Sequence, residues 1–258
     1  MLLGGRNFPE IRGAMILLDF GNSSAKAQYH ADGRLLASFA TGYSGDWCAR
    51  LGGWLDGLPA KRCVLSSVLD ASRQRPLDAC LNARFGNAVT RCVSERERCG
   101  VVNAYEEPNR LGVDRWLALL GAASLVDGDC LIIDAGSAIT LDLLRADGRH
   151  LGGAILPGIN TSRERFRQIF SHIDFDDPRI AENAGPGSST EAAIQIDYPL
   201  DSIQRLRELV SDWLPRLESG ATIILTGGDA DRVQNALERP ARIVPGLVFL
   251  GLARLAGE

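Results

Sequence analysis

One short phrase stands at two places in this chain, and it limits the folds open to it. Met15–Phe20 reads MILLDF, an apolar run closing on Asp19, and GNSSAK follows. Cys130–Ala135 reads CLIIDA, closing on Asp134, and GSAIT follows. Laying Asp19 over Asp134, 115 residues further on, sets Ile16–Leu18 against Leu131–Ile133 and Gly21 against Gly136. An apolar run that breaks into glycine and small polar residues is a buried strand entering a turn. A period of half a chain is too long for a solenoid. It fits two similar α/β domains facing a central cleft, residues 15–115 and 116–258.

The pattern after each phrase is the same: strand, turn, strand, turn, strand, then helix. In the first half, strands are expected at 25–30, 34–40, 62–68 and 88–93, with helices over 44–58 and 72–86. Trp47, Leu51, Trp54 and Leu55 carry the first of these helices. A polar stretch, 94–110, leads to an apolar helix over 111–126 with Val113, Trp116, Leu117, Leu120 and Ala123 at helical spacing. The second half predicts helices over 160–173, 190–217 and 229–237, a strand ending in Thr226-Gly-Gly, and a final helix from Gly246.

Composition removes several classes. A net charge of −4 with no basic stripe speaks against nucleic acid. No apolar run is long enough to span a membrane. The six cysteines show no C-x-x-C spacing and the three histidines stand apart, so neither metal ligation nor a disulfide framework is indicated. Reduced, mostly buried thiols in a cytoplasmic protein are expected. Residues 1–14 lack a signal-peptide core and precede a second Met, so they read as a loose or non-native extension.

Four stretches carry polar groups at turns. In Asp19–Lys26, Gly21 permits close backbone approach. Asn22, Ser23, Ser24 and Lys26 offer donors. Asp19 sits beside an anion only with a cation between them. The other reading is a type I′ or similar hairpin turn. Asp134–Thr140 repeats the Asp-x-Gly core, and two such turns can bracket a metal-bound triphosphate. Gly227 and Gly228 would let a flat group such as adenine lie on backbone, or Asp229 simply caps the next helix. In Arg110–Arg115, Asp114 and Arg115 fall in the first turn of the apolar helix. Asp114 there is either ordinary dipole complementarity or a general base, with Arg115 binding an anionic acceptor. A weak base suffices, because phosphoryl transfer needs little proton removal before its transition state.

Taken together the residues resemble the actin-like phosphotransferases, whose domains are ribonuclease H-like. More closely they resemble the type III pantothenate kinases. That family carries D-x-G-N-[ST]-x-x-K, matched by Asp19–Lys26, and Y-x-x-P-x-x-L-G-x-D-R-W, matched throughout by Tyr105–Trp116. D-x-G-[TS]-A-x-T matches Asp134–Thr140, G-G-x-I-x-P-G matches Gly152–Gly158, and T-G-G-D-A matches Thr226–Ala230. The resemblance covers residues 15–251.

It implies ATP-dependent phosphorylation of pantothenate, the first step of coenzyme A synthesis, by a cytoplasmic homodimer using Mg²⁺ and a monovalent cation, K⁺ or NH₄⁺. Asp19, Phe20, Gly21, Asn22, Ser23, Ser24, Ala25, Lys26 and Ser137 would contact ATP. Tyr105, Gly112, Val113, Asp114, Arg115 and Thr190 would line the pantothenate site. Asp114 would accept the proton, Asp134 would bind the monovalent cation, and the helix over 113–126 would contribute to the dimer interface. Ser137 replaces the usual Thr and keeps its hydroxyl. His172 would reach a partner's pocket or be a helix-end surface residue. The alternatives are an actin-like kinase for another small alcohol or acid, and a non-catalytic regulatory relative.

Overall fold

The computed structural model describes residues 13–169, 171, 188–189 and 200–257. Strands β1 (Met15–Phe20), β2 (Ser24–Ala31) and β3 (Arg34–Gly42) form an antiparallel meander. Helix α1 (Trp47–Asp56) follows, then β4 (Cys63–Ser67), α2 (Ala71–Phe85) and β5 (Val89–Arg91). β4 runs parallel to β1, and β5 parallel to β4, so the sheet has the order β3-β2-β1-β4-β5. Asp46 caps α1 by accepting from the Ala49 N–H, and Asp70 caps α2 by accepting from Ser72 and Arg73.

One face of this sheet carries Ile16, Leu18, Phe20, Ala25 and Ala27, which pack with Trp47, Leu51, Leu55, Leu77, Leu81 and Phe85 of α1 and α2. Met15, Leu17 and Val64 project to the opposite face and are buried too. A strand covered on both sides reads as a continuous apolar run, and MILL at the start of β1 is such a run.

The polar stretch 94–110 contains a small hairpin, β6 (Glu97–Arg98) with β7 (Val101–Val102), that sequence reasoning did not anticipate. Two-residue strands carry no periodicity. Helix α3 (Val113–Ala123) comes next.

The second sheet repeats the first. β8 (Cys130–Ala135), β9 (Ala138–Leu144) and β10 (His150–Pro157) lead into α4 (Ile159–Ile169). Helix α5 (Leu200–Trp213), β11 (Thr222–Thr226), α6 (Ala230–Leu237), β12 (Arg242–Ile243) and α7 (Leu247–Gly257) complete the described chain. The order β10-β9-β8-β11-β12 has the same connectivity as the first sheet, and β11 and β12 are parallel. The duplicated phrase therefore marks the equivalent first strand of two sheets.

By contact the chain divides into two compact units. The first comprises the described residues of Met1–Cys130, Asp142–Gly152 and Gly246–Glu258, and the second those of Leu131–Leu141 and Gly153–Pro245. The far end of the β9–β10 hairpin thus belongs to the first unit, as does α7.

Helix α3 departs from expectation. Every residue from Arg115 to Ala122 is buried within the chain itself. Gly121 and Gly251 explain why: a Cβ on Gly121 would strike the Leu247 carbonyl oxygen of α7, and one on Gly251 would strike the Leu117 carbonyl oxygen of α3. The two helices meet backbone to backbone. Arg254 then reaches back to the carbonyls of Leu120 (3.0 Å) and Cys99 (2.7 Å), satisfying an acceptor at the C-terminal end of α3. The apolar stripe foreseen as a dimer face is covered by α7 of the same chain.

Candidate functional site

Helix α3 begins at Gly112, which has no side chain to cap it. Asp114 in the first turn supplies the missing acceptor, its Oδ1 taking the Arg115 backbone N–H at 2.8 Å. A carboxylate over these amides gains from the helix dipole. Gly112 makes room for it, since a Cβ there would lie 2.6 Å from Asp114 Oδ1.

Arg115 points the other way and is buried. Its Nε donates to Asp142 Oδ2 at 2.9 Å and its Nη2 to Asp142 Oδ1 at 2.6 Å, a bidentate fork. Its Nη1 donates to the Tyr105 hydroxyl at 2.9 Å. Burial opposes the charge of Arg115, but its bonds to Asp142 and the Asp142 charge outweigh this, and its pKa is raised. His150 Nε2 lies 2.9 Å from Asp142 Oδ1, and its ring stacks on Tyr105 with 12° between the planes. Tyr105, Gly112, Val113, Asp114 and Arg115 are therefore brought together, all in the first unit.

Asp142 and His150 complete this cluster and were missed in the sequence. One signal was present: Asp142 interrupts the apolar run of β9, where a charge at a buried strand position needs a partner.

The Asp19–Lys26 stretch is a hairpin turn. Phe20 pairs with Ala25, and the Gly21 N–H donates to the Ser24 carbonyl at 3.1 Å. It is not type I′, because neither Asn22 nor Ser23 has positive φ; that geometry occurs at the next turn, Asp32–Gly33, with φ of 50° and 72°. The turn is held by its carbonyls. The Tyr43 hydroxyl donates to Gly21 O at 2.7 Å, Arg73 Nη1 donates to Asn22 O at 3.0 Å, and Arg73 lies 4.8 Å over the Tyr43 ring. Burial and the nearby Asp19 charge raise the pKa of Tyr43, keeping it a donor. Asn22, Ser23 and Lys26 are exposed, and Asp19 sits opposite Lys26 in register. Phe20 and Ala25 turn their side chains into the core, leaving only backbone for a ligand.

In the second unit two segments, Gly158–Thr161 and Gly227–Asp229, converge on Asp134–Ser137. The Asp229 N–H donates to Ala135 O (2.9 Å), the Gly158 N–H to Ser137 O (3.0 Å), and Thr161 Oγ1 to Ser137 O (2.6 Å). Gly227, at φ 91°, lies so close that a Cβ would meet the Ala135 carbonyl and sit 2.5 Å from Asp134 Oδ1. Asp229 stands at the N-cap of α6, but its side chain makes no cap bond and pairs instead with Arg232 at 3.1 Å. A carboxylate among backbone carbonyls is a hard oxygen donor set, suited to a hard cation rather than to zinc. Among the described residues no three His, Cys, Asp or Glu gather as metal ligands. Thr190 and His172 lie outside the described residues.

None of the six cysteines is in a disulfide. Burial pushes the thiols of Cys63, Cys92 and Cys130 up to about 12. Among the described residues no helix is long and apolar enough to cross a membrane.

The chain shares its actin-like α/β fold of two mixed sheets with a protein of Campylobacter jejuni assigned to the Baf family of transcriptional activators. The TM-score is 0.56 at 22% identity, over 92% of this chain and 94% of the other. It is 40% identical over 246 residues to the type III pantothenate kinase of Pseudomonas fluorescens (strain SBW25), covering 92% of each chain. It is 37% identical over 246 residues to that of Ectopseudomonas mendocina (strain ymp), covering 93% of this chain and 98% of the relative. The family model described as type III pantothenate kinase matches residues 15–208, and the chain belongs to that family.

Proposed function

We propose that this protein transfers the terminal phosphoryl group of ATP to the hydroxyl of pantothenate, giving 4′-phosphopantothenate, the first step of coenzyme A biosynthesis, in the cytoplasm. One observation carries the reading beyond family membership: a carboxylate and a buried, oriented guanidinium sit side by side at the start of α3. Asp114 takes the proton of the attacking hydroxyl. Arg115 and the Tyr105 hydroxyl receive the acceptor's carboxylate, with Gly112 and Val113 lining the approach and Thr190 touching substrate.

The turn of Asp19, Gly21, Asn22, Ser23, Ser24 and Lys26 holds the phosphates of ATP, joined by Ser137 and by the backbone of Phe20 and Ala25. Mg²⁺ bound to ATP supplies charge neutralisation on the phosphates. Asp134 with its neighbouring carbonyls suits K⁺ or NH₄⁺. The working form is a homodimer.

An ADP-release assay with pantothenate, in K⁺, NH₄⁺ and Na⁺ buffers, tests this. Turnover dependent on pantothenate supports the reading. Turnover on another alcohol or acid, with none on pantothenate, refutes it. Light scattering in solution tests the dimer.

A further inference from the structure

The accounting of hydrogen bonds around Arg115 assigns work to two residues outside the family motifs quoted above. A guanidinium has five N–H groups. Here Nε and one Nη2 hydrogen go to Asp142, and one Nη1 hydrogen goes to the Tyr105 hydroxyl. Two N–H groups remain, and the Tyr105 hydroxyl, having accepted from Arg115, keeps its proton to donate.

We propose that Asp142 and His150 are positioning residues for the acceptor: they aim the two remaining N–H groups of Arg115 and the Tyr105 hydroxyl at a carboxylate. The inference rests on the pantothenate reading above.

Asp142 accepts three donors. Oδ2 takes Arg115 Nε, while Oδ1 takes Arg115 Nη2 and His150 Nε2. The Ala104 N–H donates to His150 Nδ1 at 3.4 Å, which leaves that nitrogen bare and puts the ring proton on Nε2, facing Asp142. The β9–β10 hairpin, an arm that carries both residues, therefore grips Arg115 through Asp142. It grips Tyr105 through the stacked His150 ring and through the Ala104 amide one residue before it.

The arm is itself locked. The Val102 N–H donates to Gly148 O at 2.9 Å, and Gly148, at φ 85°, lies where any Cβ would strike the Gly100 carbonyl oxygen. A buried ion pair is seldom more stabilising than apolar residues of the same volume. Its value here is orientation.

Charge and orientation predict opposite outcomes. Removing the Asp142 charge leaves the charge of Arg115 uncompensated, so simple attraction would tighten binding of an anionic acceptor. Loss of aim would weaken it. Steady-state kinetics of wild type, Asp142→Asn, His150→Leu and His150→Gln separate the two.

We expect the KM for pantothenate to rise about tenfold or more in Asp142→Asn and His150→Leu, the scale of a lost bond to a charged group. The KM for ATP should change by less than about twofold, since the hydrogen bonds of this cluster join Arg115, Asp142, Tyr105, His150 and Ala104, none of which belongs to the proposed ATP turns. His150→Gln, whose amide N–H can still reach Asp142, should lose less than His150→Leu. The neutral alcohol analogue pantothenol should show little of the increase.

An unchanged or lowered KM for pantothenate overturns the inference, as does an equal rise for pantothenol or for ATP. If Asp142→Asn does not fold, the two His150 variants decide alone. Absence of pantothenate turnover in the wild type overturns the acceptor reading and this inference with it, whereas wild-type turnover with indifferent variants overturns the inference only.

Discussion

The role of Asp114 is open to a pair of substitutions that separate chemistry from folding. Asp114→Asn keeps an oxygen that can accept the Arg115 N–H, so the 2.8 Å bond at the start of α3 survives. What is lost in stability is the charge–dipole contribution, about 0.3–1 kcal/mol. For a chain of this size that shifts Tm by no more than about 4 °C. What is lost in chemistry is the proton acceptor, typically worth about 10²–10⁴-fold in rate.

Gly112→Ala probes the same group from the other side. Gly112 has φ −54° and ψ 133°, ordinary for alanine, so the backbone tolerates the change. The new Cβ would lie 2.6 Å from Asp114 Oδ1, so the carboxylate must swing away and give up its place. Displacing a reacting group by about 1 Å can cost about 10²-fold. The assay is ADP release at saturating ATP and pantothenate, with thermal melts run alongside. We expect kcat to fall by about 10² or more in Asp114→Asn and by a smaller factor in Gly112→Ala. Turnover within about threefold of wild type in a folded Asp114→Asn protein would refute the general-base assignment.

Three further outcomes follow from packing and titration. Gly251→Ala sets helix propensity, about 1 kcal/mol in favour of alanine, against a backbone collision with Leu117; the collision wins, and a destabilisation of about 1–3 kcal/mol in urea melts is expected, so a raised midpoint would count against the close α3–α7 contact. Burial lowers the pKa of His30 to about 4, so between its unfolded value of 6.5 and 4 only the unfolded chain binds this proton. Stability is then lost as pH falls, by about 2 kcal/mol at pH 5 and about 3 kcal/mol once titration is complete; His30→Gln should lack this share of the decline between pH 7 and 5, and an identical decline would refute it. With Cys63, Cys92 and Cys130 pushed up to about 12, their thiolate fraction at pH 8 is on the order of 10⁻⁴. The folded protein should therefore release far less dye from Ellman's reagent than the six equivalents of the unfolded chain, and fast release of all six would contradict the burial.

How much of this was legible depended on whether the signal was local. β1 and β8 are found where their apolar runs predict, because a strand buried on both faces leaves no polar position to blur its ends. The first turn of α3 was legible too: a carboxylate and a guanidinium ahead of seven buried residues, Trp116–Ala122, mark a helix start. β12 and the β6–β7 hairpin were not, since two residues cannot establish a period. The partnership of Arg115 with Asp142 spans 27 residues and arises from the path of the β9–β10 hairpin, which no local pattern encodes. Asp142 announced only that it needed a partner. The apolar stripe of α3 was read correctly as buried, but its cover was set by two glycines in helices far apart in sequence.

The duplicated phrase leads into two turns of different length, three residues between β1 and β2 and two between β8 and β9. Both sheets have the same strand order, so Asp19 and Asp134 end equivalent strands. Their surroundings differ in kind. Beside Asp19 the turn is anchored by its carbonyls, through Tyr43 and Arg73, and Asn22, Ser23 and Lys26 are exposed. Around Asp134 the neighbouring turns donate inward to Ala135 and Ser137, and Gly227 lies against the Asp134 carboxylate and the Ala135 carbonyl. A donor-rich turn suits an anion and an oxygen-rich one a cation. On the proposed function the first copy holds phosphate oxygens and the second a cation, so Lys26→Ala should raise the KM for ATP while Asp134→Asn should weaken activation by K⁺. Reversal of those two effects would show that the duplicated turns do not divide the work in this way.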